Sequence, residues 1–91
     1  MQYRRSASFL RCLQQLTPAQ AKRLEVAIQR FMDAVEARQV PAGLGLKPLQ
    51  YGYWEFRIGL SDRVVFHRTA DLIEFVLVGT HDDIKRFLRR Q

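Results

Sequence analysis

The sequence predicts an α+β domain in which a small antiparallel sheet packs against helices, in the order (β)-α-α-β-β-β-α. Before a Pro/Gly-rich connection at residues 40–48, apolar residues recur every three or four positions, which is helical spacing. After it they alternate or run continuously, which is strand spacing, until a last amphipathic segment. We expect the 91 residues to form one domain, 1–91.

The first half of the chain predicts a helical hairpin behind a short first strand at residues 2–6. One helix face carries the first apolar set: Phe9, Leu10, Leu13 and Leu16. The next segment begins like a helix, because Thr17 can cap it, Pro18 suits the first helical position and Gln20 completes a capping box. A longer apolar stripe predicts a helix from about Pro18 to Arg38: Leu24, Ile28, Phe31, Met32 and Val35.

The second half predicts three strands. In "YWEFRIGL" (53–60) the core-facing residues alternate with polar ones: Trp54, Phe56, Ile58 and Leu60. The turn "GLSD" (59–62) joins it to "RVVFHR" (63–68), so the two form an antiparallel hairpin. "LIEFVLVG" (72–79) is apolar almost throughout, as in a strand covered on both sides. We expect helices on one face of the sheet and an open second face.

The last segment predicts a capped helix. Thr80 can cap it, and Asp82 and Asp83 lie in the first turn beside the positive end of the helix dipole. Its apolar stripe faces inward: Ile84, Phe87 and Leu88. Its cations face water: Lys85, Arg86, Arg89 and Arg90.

Charge is the most informative bulk property. The net charge is +6 and the pI about 10.3, and twelve of the fifteen cations are arginines, whose planar fork suits phosphate. This balance points to nucleic acid first, and otherwise to an anionic membrane surface or an acidic protein.

A lone cysteine, Cys12, allows no internal disulfide and indicates a reducing cytoplasm. No apolar run approaches the roughly 20 residues of a membrane span, and no secretion signal is predicted at the N-terminus.

Five polar side chains at predicted strand ends include the residue types that cleave RNA without a metal or cofactor: Lys47, Arg57, Asp62, Arg63 and His81. Cleavage needs a proton taken from the 2′-hydroxyl, cations for the phosphorane and a proton given to the leaving 5′-oxygen. His81 stands out because it follows a buried strand and opens a helix. A metal site at residues 81–83 is not expected, because adjacent helical residues point in different directions.

Simpler interpretations of these residues stay open. Arg57 could be a surface arginine paired with Glu55 or Glu74. Asp62 could serve only the hairpin turn, and His81 only the start of a helix. His67, in the middle of a strand, is interpreted as a half-exposed histidine of the sheet.

The run from Tyr53 to Leu88, with the preceding helical hairpin and "LKPL", resembles the RelE/ParE superfamily of toxins from bacterial toxin–antitoxin pairs. The resemblance covers essentially the whole chain and is strongest over 47–88, in "WEFRI", "DRVVF" and "VGTHDD". It implies a RelE-like RNase fold and an endoribonuclease that cuts mRNA, commonly in the ribosomal A site. It also implies a cytoplasmic toxin in a hetero-oligomer with a cognate antitoxin, and no membrane or cofactor.

The resemblance also implies roles for single residues. Arg63 resembles the arginine that begins the return strand of RelE-type enzymes, and Arg57 a basic residue on the preceding strand. The "GTHDD" element is similar to that of the YafQ branch, and this resemblance implies that His81 is the general acid. Asp62 matches an acidic residue that the same branch uses. Lys47 stands where that branch has a histidine, so the general base stays open between Asp62 and Lys47.

We expect four cations to bind RNA: Lys47, Arg57, Lys85 and Arg89. Two alternatives remain. ParE-type members inhibit DNA gyrase without cleaving RNA, and a degenerate member would only bind its partner.

Overall fold

The computed structural model describes residues 1–39 and 43–91, so the predicted connection at 40–48 is described only from Gly43 onward. The helices are α1 (Ala7–Gln14), α2 (Pro18–Ala37) and α3 (His81–Arg89). The strands are β1 (Gln2–Arg5), β2 (Lys47–Pro48), β3 (Tyr53–Arg57), β4 (Arg63–Arg68) and β5 (Leu72–Gly79). Among the described residues, no helix has the length and apolar composition that a bilayer crossing requires.

The helices begin where the capping residues predict. Thr17 accepts from the backbone N–H of Gln20 at 3.2 Å, and the Gln20 side chain accepts from the backbone of Thr17 at 2.9 Å. Thr80 and Asp83 form the same reciprocal pair at the start of α3. The predicted end of α2 is confirmed as well, because Arg38 follows it in the left-handed conformation that closes many helices.

The predicted α+β fold is confirmed, with the strands in the order β1-β5-β4-β3-β2. The sheet is mixed, so the predicted antiparallel pairing is corrected for β1. β1 pairs in parallel with β5, from Gln2 opposite Leu72 to Arg5 opposite Phe75, whereas the other pairs are antiparallel. β2 is a strand that the predicted order omits. It is only two residues long, and alternation cannot be recognised over two residues.

Helices pack against both faces of the sheet, so the expectation that one face stays open is wrong for the part that α3 covers. Against one face, α1 and α2 bury the larger core around Phe31, whose ring lies 4.5 Å from that of Phe56 and 4.7 Å from that of Phe66. Against the other, α3 buries Ile84 on Val65 and Val76. The bulge at Val76 shifts the register there, and double coverage explains the continuous apolar run of β5.

The structure shortens two of the predicted stripes. β3 ends at Arg57 rather than residue 60, and Leu60 is fully exposed in the turn. Leu10 is also largely exposed, because α1 turns it away from the core that buries Phe9. The largest departure is Glu55, which alternation assigns to the polar side of β3 and which is only 4% exposed.

Candidate active site

Two arginines lie directly opposite each other on the face of the sheet that α3 partly covers. Arg57, at the end of β3, pairs in register with Arg63, at the start of β4, and Arg63 pairs in turn with Gly79 of β5. Directly paired side chains of an antiparallel sheet have Cβ atoms about 5 Å apart, and like charges so placed destabilise the pair. The row Arg57–Arg63–Gly79 therefore favours an anion above it.

Arg57 is held at its base, while its guanidinium forms no hydrogen bond or ion pair with the residues that the structure describes. Its backbone N–H donates to the carbonyl of Leu44 at 2.9 Å, and its side chain lies along Gly45. A Cβ at Gly45 would lie 2.8 Å from Cγ of Arg57, and Gly45 has a φ of 70°, so this approach requires glycine. Among the described residues neither Glu55 nor Glu74 pairs with Arg57, and the interpretation of Arg57 as half of a surface ion pair is wrong.

Arg63 is the half-buried arginine of the row, with its side chain 21% exposed. Its Nε lies 2.8 Å from Oε2 of Glu55, but the N–H does not point at that oxygen, so the contact is an ion pair without a hydrogen bond. Glu74, the other candidate partner for Arg57, binds Arg4 at the far edge of the sheet.

His81 is the first residue of α3, two residues beyond Gly79, and is exposed. Two residues of extended chain span roughly 7 Å, so the backbone of His81 lies close to the end of the arginine row. On α3, i, i+4 spacing places three predicted site residues on one flank: His81, Lys85 and Arg89. The other flank, with Asp83, Arg86 and Arg90, borders a groove against α1. The flank of His81 is therefore the one turned away from α1.

Lys47 and Asp62 border the arginine row from different sides. Lys47 is exposed on β2, directly opposite Glu55 on the same face as the arginines. Asp62 is half-buried and lines a groove with Leu16 and Gln20 of the helical hairpin, and its backbone carbonyl accepts from Ile58 at 3.0 Å. The structure thus brings Lys47 onto the face of Arg57 and Arg63, and turns Asp62 towards the helical hairpin. We call the exposed cations on the α3 side the basic face: Lys47, Arg57, Lys85 and Arg89.

His67 lies on the same face of the sheet, but at the opposite end of β3 and β4. Its ring packs edge-on against Tyr53 with centroids 5.1 Å apart, and Nε2 would be 3.0 Å from a Cβ at Gly52. This packing agrees with the interpretation of His67 as a half-buried sheet histidine and separates it from the arginine row.

Asp83 fixes the start of α3 beside Gly79. It accepts from the backbone N–H of Thr80 at 2.8 Å and from the Thr80 hydroxyl at 3.0 Å, and it binds Arg86. The backbone N–H of Thr80 in particular, with the Arg86 cation, lowers the pKa of Asp83 below its ordinary value. The end of β5 and the backbone of His81 are thereby tied together.

Glu55 is the site residue that sequence reasoning missed. Its signal was ambiguous, because a glutamate on the polar phase of a strand is normally exposed. Its burial depends on the neighbouring strands, because Lys47 of β2 and Val65 of β4 flank it and Arg63 lies against its carboxylate.

Comparison with protein families and curated proteins gives no match to this sequence. Solved structures do match. The E. coli DinJ–YafQ complex aligns with a TM-score of 0.67 at 19% identity, covering 90% of this chain and 94% of that one. The RelB–RelE antitoxin–toxin complex from Methanococcus jannaschii aligns with a TM-score of 0.68 at 17% identity, covering 92% and 96%. A YoeB/ParE toxin from Agrobacterium tumefaciens aligns at 0.65 and 19% identity, covering 89% and 99%.

Proposed function

We propose that this chain, which has the fold of the RelE/ParE-like toxins, is the toxin of a toxin–antitoxin module and a metal-independent endoribonuclease that cuts mRNA. The observation that carries the proposal is the cross-strand pair of Arg57 and Arg63. Glu55 compensates only one of the two arginines, so the pair keeps a net positive charge. Two facing arginines are unfavourable in the free protein and favourable around a phosphate, which each guanidinium can bind through two N–H groups.

In the proposed reaction Arg57 and Arg63 hold the scissile phosphate and stabilise the charge that grows on its oxygens. His81, beside the end of the arginine row, donates a proton to the leaving 5′-oxygen. The general base, which takes the proton from the 2′-hydroxyl, is either Asp62 or Lys47. Lys47 also lies on the basic face, where it can contact the RNA. Lys85 and Arg89 extend the binding surface along α3.

A cognate antitoxin is the proposed protein partner. The DinJ–YafQ and RelB–RelE structures are toxin–antitoxin complexes, and their alignments cover 93% and 96% of the matched chains. We expect a hetero-oligomer in the cytoplasm, in which the antitoxin covers the basic face until mRNA, presented on the ribosome, can reach it.

Expression of the chain from a tightly repressed promoter tests the proposal, with growth and mRNA cleavage as readouts. His81→Ala should abolish both, while thermal unfolding and antitoxin binding stay as in the parent. His67→Ala is the matched control, since it removes the other histidine of the same sheet face and should leave cleavage intact.

Two results would count against the nuclease. The first is that the single variants His81→Ala and Arg63→Ala both arrest growth as strongly as the parent chain does. The second is inhibition of gyrase supercoiling by the purified chain without RNA cleavage, which would favour the ParE-type alternative. A chain that binds its antitoxin but arrests nothing would be the degenerate partner-binding form.

A further inference from the structure

Glu55 is a carboxylate buried at the centre of a basic surface. It is 4% exposed, lies directly opposite Lys47 on β2 and Val65 on β4, and ion-pairs through Oε2 with Arg63, two residues before Val65. That oxygen is enclosed and accepts no hydrogen bond from any residue in 1–39 or 43–91. A charge in this environment lacks part of the hydration or hydrogen bonding that normally stabilises it.

Stability does not explain why an acid occupies this position. Desolvating two charges offsets most of their attraction, and well-packed apolar side chains often serve a fold as well as a buried ion pair. The ion pair of Glu74 and Arg4, with the same 2.8 Å contact between Nε and Oε2, lies at the other edge of the sheet. There the side chain of Glu74 is 27% exposed and that of Arg4 is 62% exposed, so the desolvation cost is smaller. Glu55 is buried and incompletely hydrogen-bonded, so its presence is better explained by a role in the candidate active site than by stability.

We propose that Glu55 is a positioning residue, which holds Arg63 in the orientation that binds the scissile phosphate. The inference rests on the proposed nuclease function. The carboxylate lies 2.8 Å from Nε and holds that end of the guanidinium by attraction between the charges, while the two Nη groups donate to no other described residue. Those two groups are the ones that can bind two phosphate oxygens side by side.

The arginine row explains why such a hold is needed. Arg57 faces Arg63 across the β3–β4 pair, and without a counter-charge the two guanidinium groups repel each other. Arg57 is exposed and can swing into solvent, whereas Arg63 is largely enclosed. Glu55 attracts Arg63 and has no ion pair with Arg57. Arg63 therefore stays in place despite the repulsion, and Arg57 can move onto the substrate.

A direct role for Glu55 as the general base does not fit the geometry. Oε2 is enclosed and has the cation of Arg63 against it, so a ribose 2′-hydroxyl cannot approach that oxygen without displacing the arginine. Glu55 thus acts through Arg63.

A double-mutant cycle on the purified full chain tests the inference, with cleavage of mRNA in a translation reaction as the readout. Glu55→Gln keeps the shape and removes the charge. We expect it to lower kcat by about 10- to 100-fold, as small misplacements of catalytic groups do, with KM changed less than about threefold. Arg63→Ala should cost about 100- to 1,000-fold. The double variant should be no worse than Arg63→Ala, because Glu55 has nothing left to position. Glu74→Gln, the same change in the exposed ion pair, should leave kcat unaltered.

Full activity of Glu55→Gln, or losses that multiply in the double variant, would overturn the inference. So would equal loss of kcat in Glu74→Gln. Thermal unfolding of each variant separates loss of orientation from loss of fold.

A second readout separates this inference from the nuclease itself. If the parent chain cuts no RNA, the proposed function fails, and the cycle is measured as binding of a single-stranded 2′-O-methyl RNA oligonucleotide. Positioning then predicts that Glu55→Gln weakens binding severalfold when Arg63 is present and leaves it unchanged in the Arg63→Ala background. Equal effects in both backgrounds would refute the role of Glu55.

Discussion

Replacing Gly79 by alanine tests whether close packing at the end of β5 fixes the start of α3. A Cβ at this position would lie 2.6 Å from Oδ2 of Asp83 and 2.8 Å from its Cβ, closer than carbon atoms tolerate. Asp83 must then move, although it accepts two hydrogen bonds from Thr80. We expect Gly79→Ala to open the capping box and to shift the backbone of His81.

The expected loss can be worked from these contacts. Losing an N-terminal cap costs about 0.5–2 kcal/mol, and an overpacked site costs about 1–3 kcal/mol. Alanine in a strand regains about 0.5–1 kcal/mol relative to glycine. Gly79→Ala should therefore lower the free energy of unfolding by about 0.5–4.5 kcal/mol, out of about 5–14 kcal/mol for a chain of this length.

Urea unfolding followed by the fluorescence of the single tryptophan, Trp54, measures this loss. With a slope of about 1–3 kcal/mol per molar urea, the midpoint should fall by about 1 M. RNA cleavage should fall with it under native conditions, since His81 moves relative to Arg63. A Gly79→Ala variant within about 0.5 kcal/mol of the parent and fully active would refute the reasoning.

Asp83→Ala is the matched control, because it removes the cap without adding a methyl group at Gly79. Its loss should be the smaller one and should depend on pH. The pKa of Asp83 is lowered from its ordinary 3.8 by its bonds to Thr80 and Arg86, so the ionised cap stabilises the fold above about pH 4. That contribution disappears as the pH falls through the lower folded pKa, and the parent and Asp83→Ala should then converge in stability.

Two further predictions concern other parts of the chain. Burial, foremost, and the hydrogen bond to Glu36 raise the pKa of Tyr3 to about 12, so its neutral form stabilises the fold below pH 10 and this contribution is lost between pH 10 and 12. Tyr3→Phe should cost about 0.5–1.5 kcal/mol at pH 7 and remove the late step of a tyrosinate absorbance titration, whereas a parent without that step would contradict the assignment. On the basic face, Lys85→Ala and Arg89→Ala should each weaken binding to single-stranded RNA and reduce the slope of log K against log salt by about 0.7. Lys22→Ala, on the opposite side of the molecule, should leave the slope unchanged, and an equal effect would show that only net charge matters.

The helices and their ends could be predicted from sequence because their signals are local. Thr17 and Gln20 meet within one turn, as do Thr80 and Asp83, so a few neighbouring residues suffice to define each start. The apolar stripes failed at Leu10, which α1 turns away from the core, and at Leu60, which lies in the turn beyond the end of β3. Spacing describes an element while it lasts and does not show where it stops.

The candidate site was predicted in part. The sequence places Arg57, Arg63 and His81 at strand ends, and the register of β3, β4 and β5 brings the backbones of these ends together. Asp62, just before β4, instead lines a groove with Leu16 and Gln20 of the helical hairpin. The catalytic and RNA-binding roles of the predicted residues stay predictions until the variants are measured.

By itself, the sequence determined the charge, the helices, the main strands and the residue types available for chemistry, because composition and short-range periodicity are properties of neighbouring residues. Only the tertiary structure decided that β1 joins β5 across some 70 residues of chain, that α3 covers the second face, and that Glu55 is enclosed beside Arg63. Such contacts depend on how distant segments pack, and the local sequence does not specify that packing. The burial of one glutamate therefore became visible only when the strands on both sides of it were in place.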